Sequence, residues 1–159
     1  MNNRTELIGE LVRLVKGVQL LQVPIIYLEQ NPAKMGPTID ELDQLLTNQS
    51  PITKMSFSCC GSDKYMQALQ ASGRKQVILA GIETHVCVYQ SATDLAAAGY
   101  CVEVVANATS SRSLTNKEIA LAKIGSLANT SITTTEMLLF ELMRSADNPA
   151  FRDMLRIVK

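Results

Sequence analysis

The chain has 159 residues, 47% of them hydrophobic, and its 15 basic and 15 acidic side chains cancel to a net charge of zero. This length fits one domain, residues 1–159, with enough apolar side chains for a buried core. The balanced charge, without a basic run, argues against nucleic acids and acidic membrane surfaces as partners. No uncharged apolar stretch reaches the roughly 18 residues that a membrane span needs.

Cysteine usage and the N-terminus predict a cytoplasmic protein. Residues 1–6 lack the apolar segment of a signal peptide. The four cysteines, Cys59, Cys60, Cys87 and Cys101, follow no disulfide-framework or zinc-ligand spacing. We therefore expect reduced thiols. With one histidine, no acidic cluster and no glycine-rich phosphate loop, the sequence predicts no metal site and no cofactor.

The first half of the chain alternates apolar segments with turn signals. Apolar residues between Leu7 and Leu21 recur every three or four positions, which predicts a helix. The short apolar run Val23–Leu28 predicts a buried strand. Ser62 and Asp63 are residue types that cap a helix, which should run to about residue 72. Between these segments we predict a loop at 31–38, a short helix at 39–46 and a strand at 52–55.

The second half repeats the alternation. Gln76–Ala80 is a predicted strand and Val86–Ala98 a predicted helix, with Gly99 suited to the position after the helix end. Cys101–Ala106 is the next predicted strand. The capping-box pattern from Thr115 to Glu118 predicts the start of a helix. The remaining predicted elements are a strand at 131–134 and helices at 136–144 and 149–158.

The order of these elements determines the predicted fold class. Strands alternate with helices along the whole chain, and segments such as Val77–Ala80 are continuously apolar. Both features are typical of a parallel sheet covered on both faces. The sequence therefore predicts an α/β fold, a three-layer Rossmann-like sandwich with a mostly parallel sheet and helices on both faces.

Cys87 is the leading candidate for a catalytic residue. It lies where a strand ends and a helix begins, at the edge of the sheet where α/β proteins bind ligands. The start of a helix offers unpaired N–H groups and a positive dipole end, which favour a thiolate and can bind an oxyanion. The alternative is a buried apolar cysteine, which is the commoner role of this residue type.

Two other residues near this segment have more than one interpretation. His85 is two positions from Cys87, so the two side chains should point to different faces, and a role at the pocket rim or in capping fits it better than a Cys–His pair. Lys54 follows a predicted strand among apolar neighbours. It is either a solvated surface residue or a partly buried cation that stabilises a nearby thiolate.

Four segments together resemble one known family. Gly-Ile-Glu-Thr-His-Val-Cys-Val at 81–88 resembles the nucleophile segment of the isochorismatase-like cysteine hydrolases. The segments 27–38, 52–58 and 107–112 are similar to three further segments of the isochorismatase domain-containing subgroup, in the same order. The resemblance covers nearly the whole chain.

The resemblance implies a set of site residues. Cys87 and Lys54 match the family's catalytic cysteine and lysine. A cis peptide bond is expected between Ile82 and Glu83, and the backbone N–H groups of Glu83 and Cys87 are expected to form an oxyanion hole. The substrate pocket is expected to be lined by Gln30, Phe57, Ile82 and Val86. The metal-binding set of nicotinamidases has no match here.

One family feature is missing from the sequence. The catalytic aspartate of the family follows its first strand, and this chain opens in the helix after that strand; neither Asp40 nor Asp63 matches the missing position. The absent strand would lie between the strands predicted at 23–28 and 76–80. We therefore expect either that these two strands pair directly in a five-stranded sheet or that another segment fills the gap.

These observations lead to a functional expectation with alternatives. The first is a hydrolase that cleaves a small amide or related C–N substrate through a cysteine thiolate and an acyl-enzyme. The others are a catalytically impaired family member that binds or assembles, and a truncated form of the active enzyme. The expected partners are a small-molecule substrate and further copies of the chain in a homo-oligomer, because zero net charge does not oppose association.

Overall fold

A computed structural model describes all residues from 1 to 159. The helices are Arg4–Leu20 (α1), Pro32–Met35 (α2), Asp40–Asp43 (α3), Asp63–Ala71 (α4), Tyr89–Ala97 (α5), Leu114–Gly125 (α6), Thr135–Met143 (α7) and Phe151–Val158 (α8). The strands are Leu28–Gln30 (β1), Ile52–Lys54 (β2), Gln76–Ile82 (β3), Cys101–Ser110 (β4) and Thr130–Thr133 (β5). A 3₁₀ turn at Cys59–Gly61 precedes α4, and a π-helical turn at Thr84–Val88 precedes α5.

All strand pairs are parallel, as predicted. β1 pairs with β2, and β3, β4 and β5 pair in that order in a second sheet. The register between β3 and β4 shifts after Leu79, so that Ile82 lies opposite Ser110. Because parallel strands end at the same edge, the residues that follow β2, β3 and β4 come together there.

Helices cover the strands on both faces and create two hydrophobic cores. One core joins α4, α5 and α6 to β3 and β4, with Leu95, Ile124 and Val104 fully buried. The other joins α1, α7 and α8 to β4, with Leu139 and Met154 fully buried. The predicted α/β fold with three layers is therefore confirmed.

A gap separates the two sheets. β1 and β3 do not pair, and no strand of the chain pairs with their free edges. The side chains nevertheless alternate between the two cores in the same way on both sides of the gap. Ile25 and Ile78 pack against the second core, and Leu28 and Leu79 pack against the first. The expected direct pairing of these two strands is therefore wrong, and no strand fills the gap.

Some element boundaries differ from those predicted. The strand predicted at 23–28 begins only at Leu28, because a strand is defined by its partner and only residues 28–30 lie beside β2. α6 begins at Leu114 rather than at the predicted capping box, since the Ser113 hydroxyl already accepts a hydrogen bond from the Asn116 N–H. Ser62 caps α4 and Gly99 adopts a positive φ after α5, both as predicted.

None of the helices combines the length and apolar character that crossing a membrane requires.

Two glycines of α1 provide a matched test of this packing. A Cβ on Gly9 would have no neighbour within 4 Å, whereas a Cβ on Gly17 would lie 2.5 Å from side-chain atoms of Leu139. Gly9→Ala should therefore raise the free energy of unfolding by about 0.5–1 kcal/mol through better helix propensity. Gly17→Ala should lower it by about 1–3 kcal/mol through overpacking. Urea unfolding measures both, and equal effects of the two substitutions would contradict the packing of α1 on α7.

Candidate active site

Lys54 is held inside the protein by neutral oxygen atoms. Its side chain lies at the end of β2, and the residue is only 8% exposed. The Nζ atom donates to Gln30 Oε1 at 2.7 Å and to the carbonyl oxygens of Ser56 and Phe57, each at 2.8 Å. A buried ammonium needs such acceptors because it has lost its water. No carboxylate forms a salt bridge with it, so the charge of Lys54 is available to another group.

That group is the thiol of Cys87. Lys54 Nζ lies 3.8 Å from Cys87 Sγ, although the two residues are 33 positions apart in the sequence. Cys87 is half-buried in the π-helical turn that links β3 to α5. No Asp or Glu side chain is hydrogen bonded to its sulfur. The convergence of the two candidate residues at the carboxyl edge of the sheet agrees with the sequence prediction.

The turn that holds Cys87 has an unusual backbone. The peptide bond between Ile82 and Glu83 is cis, as the resemblance implied. The Glu83 carbonyl accepts hydrogen bonds from the N–H groups of Val86 and Val88, while the Glu83 N–H donates no hydrogen bond within the chain. An unpaired backbone N–H at the start of the turn that holds the thiol is the type of group that can bind an oxyanion.

Two side-chain contacts attach this turn to the end of β4. Glu83 Oε1 accepts from the Arg112 backbone N–H at 3.2 Å and from Arg112 Nε at 3.1 Å. His85 Nδ1 lies 2.9 Å from the hydroxyl of Ser111, which is fully buried. His85 therefore contacts Ser111 instead of forming a Cys–His pair, in agreement with its expected orientation.

The predicted pocket residues fall into two groups. Gln30 accepts a hydrogen bond from Lys54 through its side-chain oxygen. Phe57 accepts one through its backbone carbonyl oxygen, and the residue as a whole is 53% exposed. Ile82, 51% exposed, and the half-buried Val86 flank the thiol along the chain. The face beside Cys87 is thus open to solvent. Cavities of about 180 and 200 Å³ lie elsewhere, the first lined by His85, Tyr89 and Lys123 and the second by residues of α1 and α7.

Cys59 and Cys60 are two neighbouring free thiols in the 3₁₀ turn that precedes α4. The Cys59 N–H donates to the Ser91 hydroxyl at 2.9 Å, which ties the 3₁₀ turn to α5. A hydrogen bond from the Cys60 thiol lowers the pKa of Cys59 to about 6. Burial raises this pKa, whereas hydrogen bonds from Ser91 and Tyr65 and the charge of Lys54 lower it further. The same contact, with burial, raises the pKa of Cys60.

No group of three or more metal-binding side chains converges anywhere in the chain.

Sequence reasoning missed several groups at this site. The carbonyl oxygens of Ser56 and Phe57 carry no signal in the sequence, because every residue has a carbonyl. Ser111 and Arg112 lie in the segment 107–112, which resembles the family but has no role assigned from the sequence, and a link to the turn at Glu83 depends on the sheet register. Thr84 is fully buried, and its hydroxyl is the one buried side-chain polar atom without a hydrogen-bond partner.

Comparison with known proteins identifies the class. The chain is a parallel α/β sandwich. Its candidate site combines a cysteine at a strand-to-helix turn with a buried lysine. The isochorismatase domain matches residues 1–136 of the chain. The chain therefore belongs to the isochorismatase family.

Named relatives agree with this assignment. Isochorismatase domain-containing protein 1 of Danio rerio is 36% identical over 92% of this chain, and protein 2A of Mus musculus is 36% identical over 97%. The chain spans about half the length of the first relative (51%) and 73% of the second.

Solved structures show the same fold. A structure described as MAR1 ribonuclease from Caenorhabditis elegans is 34% identical, with a TM-score of 0.91 over 98% of this chain and 80% of that one. The YcaC gene product of Escherichia coli, described as an octameric hydrolase of unknown specificity, is 21% identical with a TM-score of 0.87 over 97% of this chain and 82% of that one.

The Cys59 contacts predict a pH-dependent contribution to stability. The folded-state pKa of about 6 lies below the ordinary value of 9.0, so folding favours the thiolate. This contribution should be complete above the unfolded-state pKa and should be lost as pH falls through about 6. In urea unfolding with a reductant present, the stability difference between wild type and Cys59→Ser should therefore grow as pH rises from about 6 to about 9. Cys101→Ser, at an exposed cysteine, is the control, and parallel pH profiles for wild type and Cys59→Ser would contradict the assignment.

Proposed function

We propose that this chain is a cysteine hydrolase that acts on a small amide or a related C–N substrate. Cys87 is the nucleophile, and Lys54 stabilises its thiolate. The proposal is supported above all by the 3.8 Å approach of Lys54 Nζ to Cys87 Sγ. Membership of the isochorismatase family supports the hydrolase class but leaves the substrate open.

The contacts of Lys54 explain why it suits this role. Its N–H groups are directed by Gln30 Oε1 and two carbonyl oxygens, which fix the ammonium without neutralising it. A unit charge pair at this separation attracts by about 4 kcal/mol at an effective dielectric constant of about 20, before desolvation is counted. This attraction favours a thiolate beside Lys54 over a neutral thiol.

The proposed first step is acylation of Cys87. The thiolate attacks the carbonyl carbon, an S–C bond forms, and the electron pair of the carbonyl π bond moves to oxygen. The backbone N–H groups of Glu83 and Cys87 bind the resulting oxyanion. Collapse of this intermediate breaks the C–N bond, and the nitrogen takes a proton from water and leaves as the amine. Water then attacks the thioester and releases the acid, restoring the thiol.

Both the protonation of the leaving nitrogen and the activation of the water that hydrolyses the acyl-enzyme call for an acid–base group. General acid–base groups typically contribute about 10²–10⁴-fold to such steps, and no carboxylate is hydrogen bonded to Cys87. This observation favours a second candidate function, a family member that binds ligands and is acylated without sustained turnover. Steady product release would support the hydrolase, and one acyl group per chain without release would support the second candidate.

The description of the nematode relative as a ribonuclease raises RNA as another substrate. A net charge of zero offers little attraction for a phosphate backbone, so we propose a small-molecule substrate. The four free cysteines fit the proposed cytoplasmic location, where thiols stay reduced.

The acyl-enzyme can be detected directly. After incubation with a panel of small amides, mass spectrometry of wild type should find the acyl group on Cys87. Cys87→Ala should carry no label, and Cys101→Ala, at a cysteine far along the chain, should be labelled like wild type. Lys54→Met, which keeps the length of the side chain without its charge, should be acylated about 10- to 100-fold more slowly. Equal labelling of Lys54→Met and wild type would contradict the role given to Lys54.

We also propose a homo-oligomer. Large apolar side chains are exposed on α6 and α7, including Leu114, Ile119 and Met137, and the octameric Escherichia coli neighbour shares the fold. Sedimentation velocity at micromolar concentration should find a species heavier than the 17.4 kDa chain. Ile119→Lys should shift the distribution toward the single chain, because a charge at an apolar interface is costly. A 17.4 kDa species alone in wild type would contradict the proposal.

A further inference from the structure

The Glu83 carboxylate links the residue after the cis bond to the segment after β4. The two contacts of Glu83 Oε1 differ in kind: one is to the Arg112 backbone N–H and one to the Arg112 side chain. The Arg112 side chain is 75% exposed, so the ion pair itself contributes little. The Glu83 side chain is only 19% exposed, which leaves the bond to the backbone N–H as the important contact.

The segment that Glu83 binds is itself fixed on several sides. Ser111 is fully buried, and its hydroxyl contacts His85. The Ser111 carbonyl accepts from the Asn2 N–H, and the Ser110 hydroxyl donates to the Asn2 carbonyl. Ser110 also lies in register with Ile82. Glu83 therefore binds the segment directly after β4, which hydrogen bonds connect to Asn2 and to His85.

The backbone N–H of Glu83 takes part in the reaction that we propose. Its N–H donates no hydrogen bond within the chain and is one of the two proposed oxyanion donors. The direction of that N–H depends on the orientation of the peptide plane between Ile82 and Glu83. A side chain anchored to the Arg112 N–H restrains the same residue that supplies the donor.

We infer that the carboxylate of Glu83 is a positioning group that aligns the Glu83 N–H with the oxyanion formed at Cys87. The inference rests on the proposed function, because it needs an acylation at Cys87. Glu83 acts here through its own backbone, and its carboxylate touches no reacting atom.

Two reactions of the same sulfur separate positioning from simple folding. With p-nitrophenyl acetate the thiolate attacks the carbonyl carbon, an oxyanion forms, and p-nitrophenolate leaves as the C–O bond breaks. With iodoacetamide the thiolate displaces iodide at a methylene carbon, and no oxyanion forms. Peptide mass spectrometry measures both rates at Cys87, apart from the other cysteines.

The variants follow from the contacts. Glu83→Ala removes the acceptor and should slow acylation of Cys87 by about 10- to 100-fold. Its alkylation by iodoacetamide should stay within about twofold of wild type, since that reaction does not use the oxyanion donors. Glu83→Gln keeps an oxygen that accepts from the Arg112 N–H and should acylate within about threefold of wild type. Asp153→Ala breaks the exposed ion pair with Arg156 on α8 and is the control.

Each outcome decides the inference. Acylation of Glu83→Ala at the wild-type rate would overturn it, and so would a parallel loss of acylation and alkylation, which indicates a collapsed turn. Slow acylation in Glu83→Gln would show that the negative charge matters and not the anchoring bond, which also overturns it. If wild-type Cys87 is not acylated faster than Cys60 and Cys101, the proposed function fails first and the inference falls with it.

Discussion

The site depends on one interaction, the retention of a charged lysine inside the protein. Burying an ammonium is unfavourable unless polar groups replace its water. Here the replacement comes from Gln30 and from two carbonyl oxygens of the segment after β2, all at 2.7–2.8 Å. Because these acceptors are neutral, the positive charge of Lys54 remains available at the sulfur of Cys87, 3.8 Å away. The local backbone after β2 is therefore part of the candidate site as much as the two candidate catalytic side chains are.

The fold supplies the rest of the geometry through the parallel sheets. Parallel strands end at one edge, so Lys54, Cys87 and the segment after β4 meet although they are distant in sequence. Glu83 and His85 then attach the cysteine turn to Arg112 and Ser111. β1 and β3 do not pair, and Phe57 and Ile82, which flank the two candidate residues along the chain, are about half exposed.

Much of this arrangement could be predicted from sequence, for identifiable reasons. The apolar period of α1 and the strand-to-helix switch at Cys87 are local patterns, and both appear where expected. Strand limits near residues 23–28 could not be predicted, since they depend on which neighbour is present. The contact of Glu83 with Arg112 could not be predicted from the sequence either, because it depends on the register between β3 and β4 and on the register shift after Leu79. Local patterns and the meeting of Lys54 with Cys87 could therefore be predicted from the sequence, whereas contacts that depend on strand register could not.

In the proposed reaction, a carbonyl oxygen bound at Cys87 points to the backbone N–H groups of the cysteine turn, with Lys54 beside the sulfur. A crystal structure of the chain with a small aldehyde is the test, since the sulfur adds to the aldehyde carbon and gives a tetrahedral carbon that carries the former carbonyl oxygen. The account predicts an adduct on Cys87, with this oxygen within hydrogen-bond distance of the N–H groups of Glu83 and Cys87 and with Lys54 still bound to Gln30. An adduct whose oxygen points into solvent, or one formed on Cys60 while Cys87 stays free, would contradict it.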